Sequence, residues 1–207
     1  MQLVIASRNV HKIRELRSIL KRLGNFDLFS LVDFPQYVPP EETGKTFEEN
    51  AILKATHAAQ ALKQCVIADD SGLVVPALHG APGVRSARYA GPHATDRDNR
   101  QKLLHDMREL HDLERQAYFE CVIALASPEK LIKCVRGQCE GVILTEERGS
   151  QGFGYDSLFL KHDYSKTFAE MDEDVKNRIS HRRKAIDRLL PVLETIALSK
   201  DRSGCTS

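Results

Sequence analysis

A change of hydrophobic period near the start of the chain constrains the fold most. Leu3, Val4, Ile5 and Ala6 form a short apolar run, as in a buried strand. From Asn9 the period lengthens. Val10, Ile13, Leu16, Leu20 and Leu23 fall at helical spacing, with Asn9 as a candidate N-cap and Gly24 as a candidate stop. Strand followed at once by helix is the opening of an α/β domain.

The pattern continues along the chain. Phe26 to Phe34 reads as a second strand. Residues 35–45 carry Pro35, Pro39, Pro40 and Gly44 and cannot be regular structure. Thr46 and Glu49 make a capping box that opens an Ala-rich helix to about Leu62. Val66 to Ala68 reads as the next strand, ending at Asp69-Asp70-Ser71-Gly72. His79 to Gly91 is predicted to be an irregular loop, and Thr95 with Asp98 opens a helix to about His111. Gln116–Ala126 and Leu131–Leu144 are strand-like runs, with a hairpin turn at Ser127 to Lys130 between them. A Gly-rich segment, Gly149 to Gly154, leads into Leu158, Phe159 and Leu160. Ile186, Leu189, Leu193 and Ile196 form a last helical stripe, which Ser180 is placed to cap. Pro191 inside that stripe argues against one straight helix, and residues 199–207 read as a frayed tail. The expected architecture is a mixed-sheet α/β fold, one domain over residues 1–198, with the hairpin extending a second lobe.

Composition excludes several classes. The chain has 207 residues, long enough for a core without disulfide or metal staples. It is 42% hydrophobic and 29% charged, which fits neither a disordered tail nor a membrane bundle. Thirty Lys and Arg against twenty-nine Asp and Glu leave a formal charge of +1, so no global field favours a nucleic-acid partner. Cys65, Cys121, Cys134, Cys139 and Cys205 are odd in number and lack a CxxC pair, as for reduced thiols. No stretch reads as a signal peptide or a bilayer span, so a cytoplasmic protein with no membrane partner is expected.

Four polar segments sit where loops meet elements, the places where sites are built on a scaffold. Ser7, Arg8, Asn9, Val10, His11 and Lys12 lie at a helix N-terminus, whose free N–H groups and dipole suit phosphate. Taken alone, the segment is an ordinary capped helix. Glu41 and Glu42 stand in a Pro/Gly loop and offer hard oxygen ligands for Mg²⁺, or are two solvated charges. Gly44-Lys45-Thr46 is not a P-loop, because Pro39 stands where the first glycine belongs. Asp69 and Asp70, adjacent at a strand end, must face opposite ways. One of them can serve metal or water while the other holds the loop. Gly152, Phe153, Gly154, Tyr155 and Asp156 let backbone approach a flat ligand while a ring stacks on it. Lys176, His181 and Arg182 follow near a helix start. Together these residues outline a Mg²⁺–phosphate site beside a stacking aromatic.

Six motifs in register carry a resemblance. They are Ser7-x-Asn9-x-x-Lys12; Glu41-Glu-Thr-Gly-x-Thr-Phe-x-Glu-Asn-Ala-x-x-Lys54; Ala68-Asp-Asp-Ser-Gly-Leu73; Gly80-Ala-Pro-Gly-Val-x-Ser-Ala-Arg-Tyr89; Gly152-Phe-Gly-Tyr-Asp156; and Ser180-His-Arg182. From residue 3 to about 190 the chain resembles the inosine triphosphate pyrophosphatase family. The resemblance implies a homodimeric α/β fold with a long central mixed sheet flanked by helices and a cleft between two lobes. It implies Mg²⁺-dependent conversion of ITP, dITP and XTP to the monophosphate and pyrophosphate, clearing them from the nucleotide pool. By position, Glu41 and Asp70 would bind metal, with Asp70 also the proton acceptor. Ser7 to Lys12, Ser71, Phe153 to Asp156, Lys176, His181 and Arg182 would bind substrate. The family usually has Gly where Arg8 stands and Pro where Ser157 stands. The second change removes a rigid φ and is expected to loosen the base-binding loop. The alternatives are a triphosphatase that releases the terminal phosphate and a non-catalytic purine-nucleotide-binding regulator.

Overall fold

The computed structural model describes residues 2–24 and 26–203. Six strands form one mixed sheet in the order β2-β1-β3-β4-β5-β6. They are β1 (Gln2–Ile5), β2 (Asp27–Ser30), β3 (Val66–Val74), β4 (Gln116–Ala126), β5 (Leu131–Ile143) and β6 (Phe159–Lys161). The helices are α1 (Val10–Leu23), α2 (Phe47–Leu62), α3 (Asp96–Asp106), α4 (Glu173–Ile179) and α5 (His181–Ser203). β1 pairs in parallel with both β2 and β3, whereas β5 and β6 are antiparallel. The parallel pairs come from the strand–helix alternation of the first third of the chain, since a parallel neighbour needs a crossover. The turn between β4 and β5 is closed by the Ser127 N–H donating to the Lys130 carbonyl at 2.9 Å.

Local chemistry explains the element ends. The Asn9 carboxamide accepts from the N–H groups of His11 and Lys12, and Thr46 accepts from the Glu49 N–H, which starts α1 and α2. Thr95 and Asp98 form the reciprocal box that opens α3. β2 is shorter than expected. The Ser30 N–H donates to the Asp33 carboxylate, which turns Leu31–Asp33 into a 3₁₀ turn. β3 is longer than expected, and runs through Asp69, Asp70, Ser71 and Gly72 rather than stopping there. The loop after it contains a 3₁₀ segment, Gly83–Arg88. α3 ends at Asp106, short of His111. α5 continues past Pro191 and into the stretch expected to be tail, because no strong breaker follows until Gly204. Residues 204–207, with Cys205, lie outside the described residues.

The chain divides into two compact units. The first takes in Asp70 and the chain before it, Val122–Gly137, and the chain from Arg182 onward. Its buried side chains include Leu3, Val4, Ile5, Leu16, Leu20, Ile67, Ile123 and Leu189. The second is Ser71–Cys121 with Gln138–His181, around a core of Leu73, Leu103, Phe119, Phe159 and Phe168. The chain passes between units at Asp70–Ser71 and at His181–Arg182, inside two of the motifs. The described cysteines, Cys65, Cys121, Cys134 and Cys139, are free thiols. Among the described residues no helix is long and apolar enough to cross a membrane.

Candidate active site

In the first unit the site grows from β3. Successive side chains of a strand point to opposite faces, and each aspartate meets its own cation. Asp69 Oδ1 lies 2.6 Å from Lys12 Nζ on α1. Its Oδ2 accepts from Nε and a terminal nitrogen of Arg182, both at 3.3 Å, and Arg182 also pairs with Glu15. Glu15, Asp69 and Arg182 are buried, with Arg182 1% exposed, and Lys12 is half-buried. Buried charges persist only when paired and hydrogen-bonded, so Lys12, Glu15, Asp69 and Arg182 fix one another. α1 places Lys12 and Glu15 three residues apart, which puts them on one face.

Asp70 faces the other way, toward α2. Its Oδ1 is 3.1 Å from Lys54 Nζ, and its Oδ2 accepts from Asn50 Nδ2 at 3.1 Å. The Lys54 ammonium also donates to Glu42 Oε1 at 2.9 Å and to the Asp69 carbonyl at 2.8 Å. Burial raises the Asp70 carboxyl above the usual range, though Lys54 and Lys12 pull it down. Burial would lower Lys54, but the charges of Asp70, Glu42 and Asp69 outweigh it and raise the ammonium. Glu42, not Glu41, makes the ion pair with this group, and Glu41 is exposed. No group of three or more His, Cys, Asp or Glu side chains with metal-binding geometry occurs among the described residues.

The phosphate-loop candidates are arranged by their own hydrogen bonds. Ser7 Oγ accepts from the Asn9 N–H at 3.1 Å, while Val10 and His11 are exposed at the start of α1. Arg8 is exposed, and its guanidinium donates to the Tyr37 carbonyl at 2.8 Å.

In the second unit, Gly152 and Gly154 have φ of +77° and +60°, a region that favours glycine. A Cβ on Gly152 would stand 2.1 Å from Asp156 Oδ2. That oxygen accepts from the Phe153 N–H at 2.9 Å and from Lys176 Nζ at 2.5 Å. Lys176 lies 4.9 Å from the centre of the Phe153 ring, a cation–π contact. Tyr155 donates its hydroxyl proton to the Ser86 carbonyl at 2.9 Å, and burial raises its pKa. His181 stacks on Phe119 with ring centres 4.9 Å apart. Ser71, at the start of this unit, is half-buried in β3.

The Ser157 substitution does not leave the loop untied. Its hydroxyl donates to Glu147 at 2.9 Å. Glu147 pairs with Arg100 at 2.9 Å, and Arg100 donates to the Gly154 carbonyl at 3.0 Å. Asp96 accepts from the Gly154 N–H at 2.7 Å. Side-chain hydrogen bonds stand here where a proline ring would restrict φ. Sequence reasoning assigned no role to Glu15, Asn50, Asp96 or Arg100. Glu15 lies off the apolar stripe of α1, about 100° around the helix from Leu16, so the spacing gave no signal for it.

With this geometry in hand, comparison with known proteins is decisive. The Ham1 family model matches residues 3–192. The chain belongs to the Ham1 family. It is 57% identical over 197 residues to the dITP/XTP pyrophosphatase of Protochlamydia amoebophila (strain UWE25), covering 95% of this chain and 99% of the relative. The corresponding protein of Chlamydia abortus is 55% identical, at 95% and 96% coverage. Among solved Ham1 structures, the Coxiella burnetii protein superposes with a TM-score of 0.84 at 42% identity, covering 94% of this chain and 99% of that one. A nucleoside-triphosphatase / dITP/XTP pyrophosphatase from Mycobacterium abscessus gives 0.74 at 39% identity, covering 92% and 100%. The mixed α/β fold is therefore the Ham1 fold.

Proposed function

We propose that this chain is a dITP/XTP pyrophosphatase that hydrolyses ITP, dITP and XTP to the monophosphate plus pyrophosphate. The observation that carries the reading is the Asp69–Asp70 pair of β3, one aspartate held by Lys12 and Arg182 and the other by Lys54 and Asn50. Near-full-length identity to relatives that bear this name supports it.

Mg²⁺ fits the donor set. Lys54 gathers oxygens from Glu42, Asp69 and Asp70, so this spot is rich in hard donors and already satisfies a cation. Glu41 and Asp70 would hold the ion, with Glu42 kept beside them by Lys54. When bound, Mg²⁺ offsets charge that develops on the phosphate oxygens. The remaining work falls to side chains. Asp70, its carboxyl already raised by burial, takes the proton of the water that attacks the α-phosphorus. Lys12, with the N-terminal end of α1, Ser7 and Asn9, meets the triphosphate, and Lys176 adds a second cation. Ser71 touches substrate beside Asp70.

The Phe153–Asp156 loop takes the base, with the Phe153 ring as its platform and His181 as a further contact. Hypoxanthine and xanthine present a 6-oxo acceptor where adenine presents an amino donor. Arg182 already donates to Glu15 and Asp69, so the groups that suit the acceptor are the backbone N–H groups of this loop. Adenine would leave them unpaired, a difference of roughly 10⁴–10⁵ in favourable cases. The protein acts as a homodimer in the cytoplasm on this reading. A panel of nucleoside triphosphates with Mg²⁺, scored for pyrophosphate, tests it. IDP and phosphate as products would instead identify a terminal phosphatase, and binding without turnover a regulator.

A further inference from the structure

The segment that carries Glu41 and Glu42 has no regular structure, yet it is anchored along its length. At its far end the Gly44 N–H donates to Asn50 Oδ1 at 2.8 Å, and the Lys45 N–H donates to Glu49 at 2.6 Å. In its middle Glu42 is held by Lys54. At its near end the Tyr37 hydroxyl and His57 Nδ1 are 2.8 Å apart. Asn50, Lys54 and His57 stand at i, i+4 and i+7 on α2, so one face of that helix carries the whole loop. Pro39 and Pro40 stiffen the path from Tyr37 to Glu41 by restricting φ. A shift at Tyr37 would therefore be transmitted to the acidic residues.

Tyr37 is buried, and its N–H donates to the Phe34 carbonyl at 3.0 Å. A surface cavity of about 610 Å³ is lined in part by Phe34, Tyr37, Val38 and His57, so packing leaves space on that side. The next residue, Val38, is 76% exposed. The Arg8 guanidinium supplies a further tether by donating to the Tyr37 carbonyl at 2.8 Å, across a sequence separation of 29 residues. Arg8 lies in the Ser7–Lys12 loop, so this one hydrogen bond joins the phosphate loop to the acidic loop.

We propose that Arg8 is a positioning residue which, through Tyr37, holds the Glu41–Glu42 loop in register with Asp70, and does not itself bind phosphate. The role in metal binding rests on the pyrophosphatase reading above; the tether does not. Losing one such hydrogen bond should speed local opening by roughly three- to tenfold. By linkage, metal affinity can fall by no more than the same factor.

The test uses Arg8→Gln, Arg8→Lys and Tyr37→Phe in the full chain. Arg8 is exposed, so its variants should fold. Amide hydrogen exchange over residues 36–45 is measured without ligand, and Mn²⁺ affinity by electron paramagnetic resonance. Arg8→Gln should accelerate exchange in that segment and weaken Mn²⁺ by about three- to tenfold, with kcat lowered and KM for XTP nearly unchanged. Arg8→Lys should recover part of the exchange protection, and Tyr37→Phe should resemble Arg8→Gln more weakly. Unchanged exchange and Mn²⁺ affinity with a raised KM would overturn the proposal and make Arg8 a phosphate ligand. A wild-type protein inactive on XTP would defeat the pyrophosphatase reading, while the exchange data would still decide the tether.

Discussion

Asp70 and Lys54 show how one residue pair couples stability to chemistry. Burial raises the Asp70 carboxyl, and Lys54 offsets part of that effect. The folded chain thus holds the Asp70 proton more tightly than the unfolded chain. This contribution is fully present below the ordinary carboxylate pKa and is lost as pH rises through the raised value. In Lys54→Met the burial persists without its compensating charge. Thermal melts near neutral pH should show a loss on the order of 3 kcal/mol, the lower end for a broken buried pair because Glu42 is about one-third exposed. The deficit should shrink as pH falls and Asp70 takes up its proton; a deficit independent of pH would contradict this. Asp70→Asn should fold normally and lose about 10²–10⁴ in kcat if Asp70 is the base. In the wild type the acid limb of the kcat profile should lie above the range of a free carboxylate, since Asp70 must be ionised to accept a proton.

At the scale of elements, the Gly152–Asp156 loop is the most sharply specified. Gly152→Ala would drive a methyl group into the Asp156 carboxylate that holds Lys176. At a positive φ the change is strained as well. We expect KM for XTP to rise by more than about tenfold, the equivalent of 1.4 kcal/mol, while kcat falls less. Nucleotide kinetics together with a melt would separate that from global unfolding. Ser157→Ala should loosen the Glu147–Arg100–Gly154 chain, and Ser157→Pro would show whether a fixed φ replaces it. Faster amide exchange at Gly154 in the alanine variant is the readout, and no change there would remove Ser157 from the loop's support.

Much of this architecture was legible in the residues. The caps at Asn9, Thr46 and Thr95 are local chemistry, so the starts of α1, α2 and α3 followed directly. Strand ends were less legible, because pairing with neighbours carries β3 through two aspartates that look like a loop. Pro191 misled for a related reason: its position in α5 is tolerated by context that a local rule does not contain. For the site, adjacent aspartates announced opposite faces, and the structure bears this out. That Glu42 rather than Glu41 pairs with Lys54, and that Arg8 reaches Tyr37, depends on how the Pro-rich segment lies against α2. No spacing rule encodes that path.

For the whole molecule, the groups proposed above for catalysis and for base binding are found in different units. The first has paired carboxylates with lysines beside them, and the second has an aromatic platform braced by a buried Lys–Asp pair. The chain passes between the units within the Asp-Asp-Ser-Gly and Ser-His-Arg motifs. On the reading proposed above, these groups serve cleavage between the α- and β-phosphates of a deaminated purine nucleotide. Incubation of the purified chain with Mg²⁺ and XTP, ITP, dITP, GTP or ATP, with products separated by ion exchange, tests it most directly. Monophosphate and pyrophosphate are expected in equal amounts from XTP, ITP and dITP, with little from ATP. Diphosphate and inorganic phosphate, or equal turnover of ATP and XTP, would contradict it.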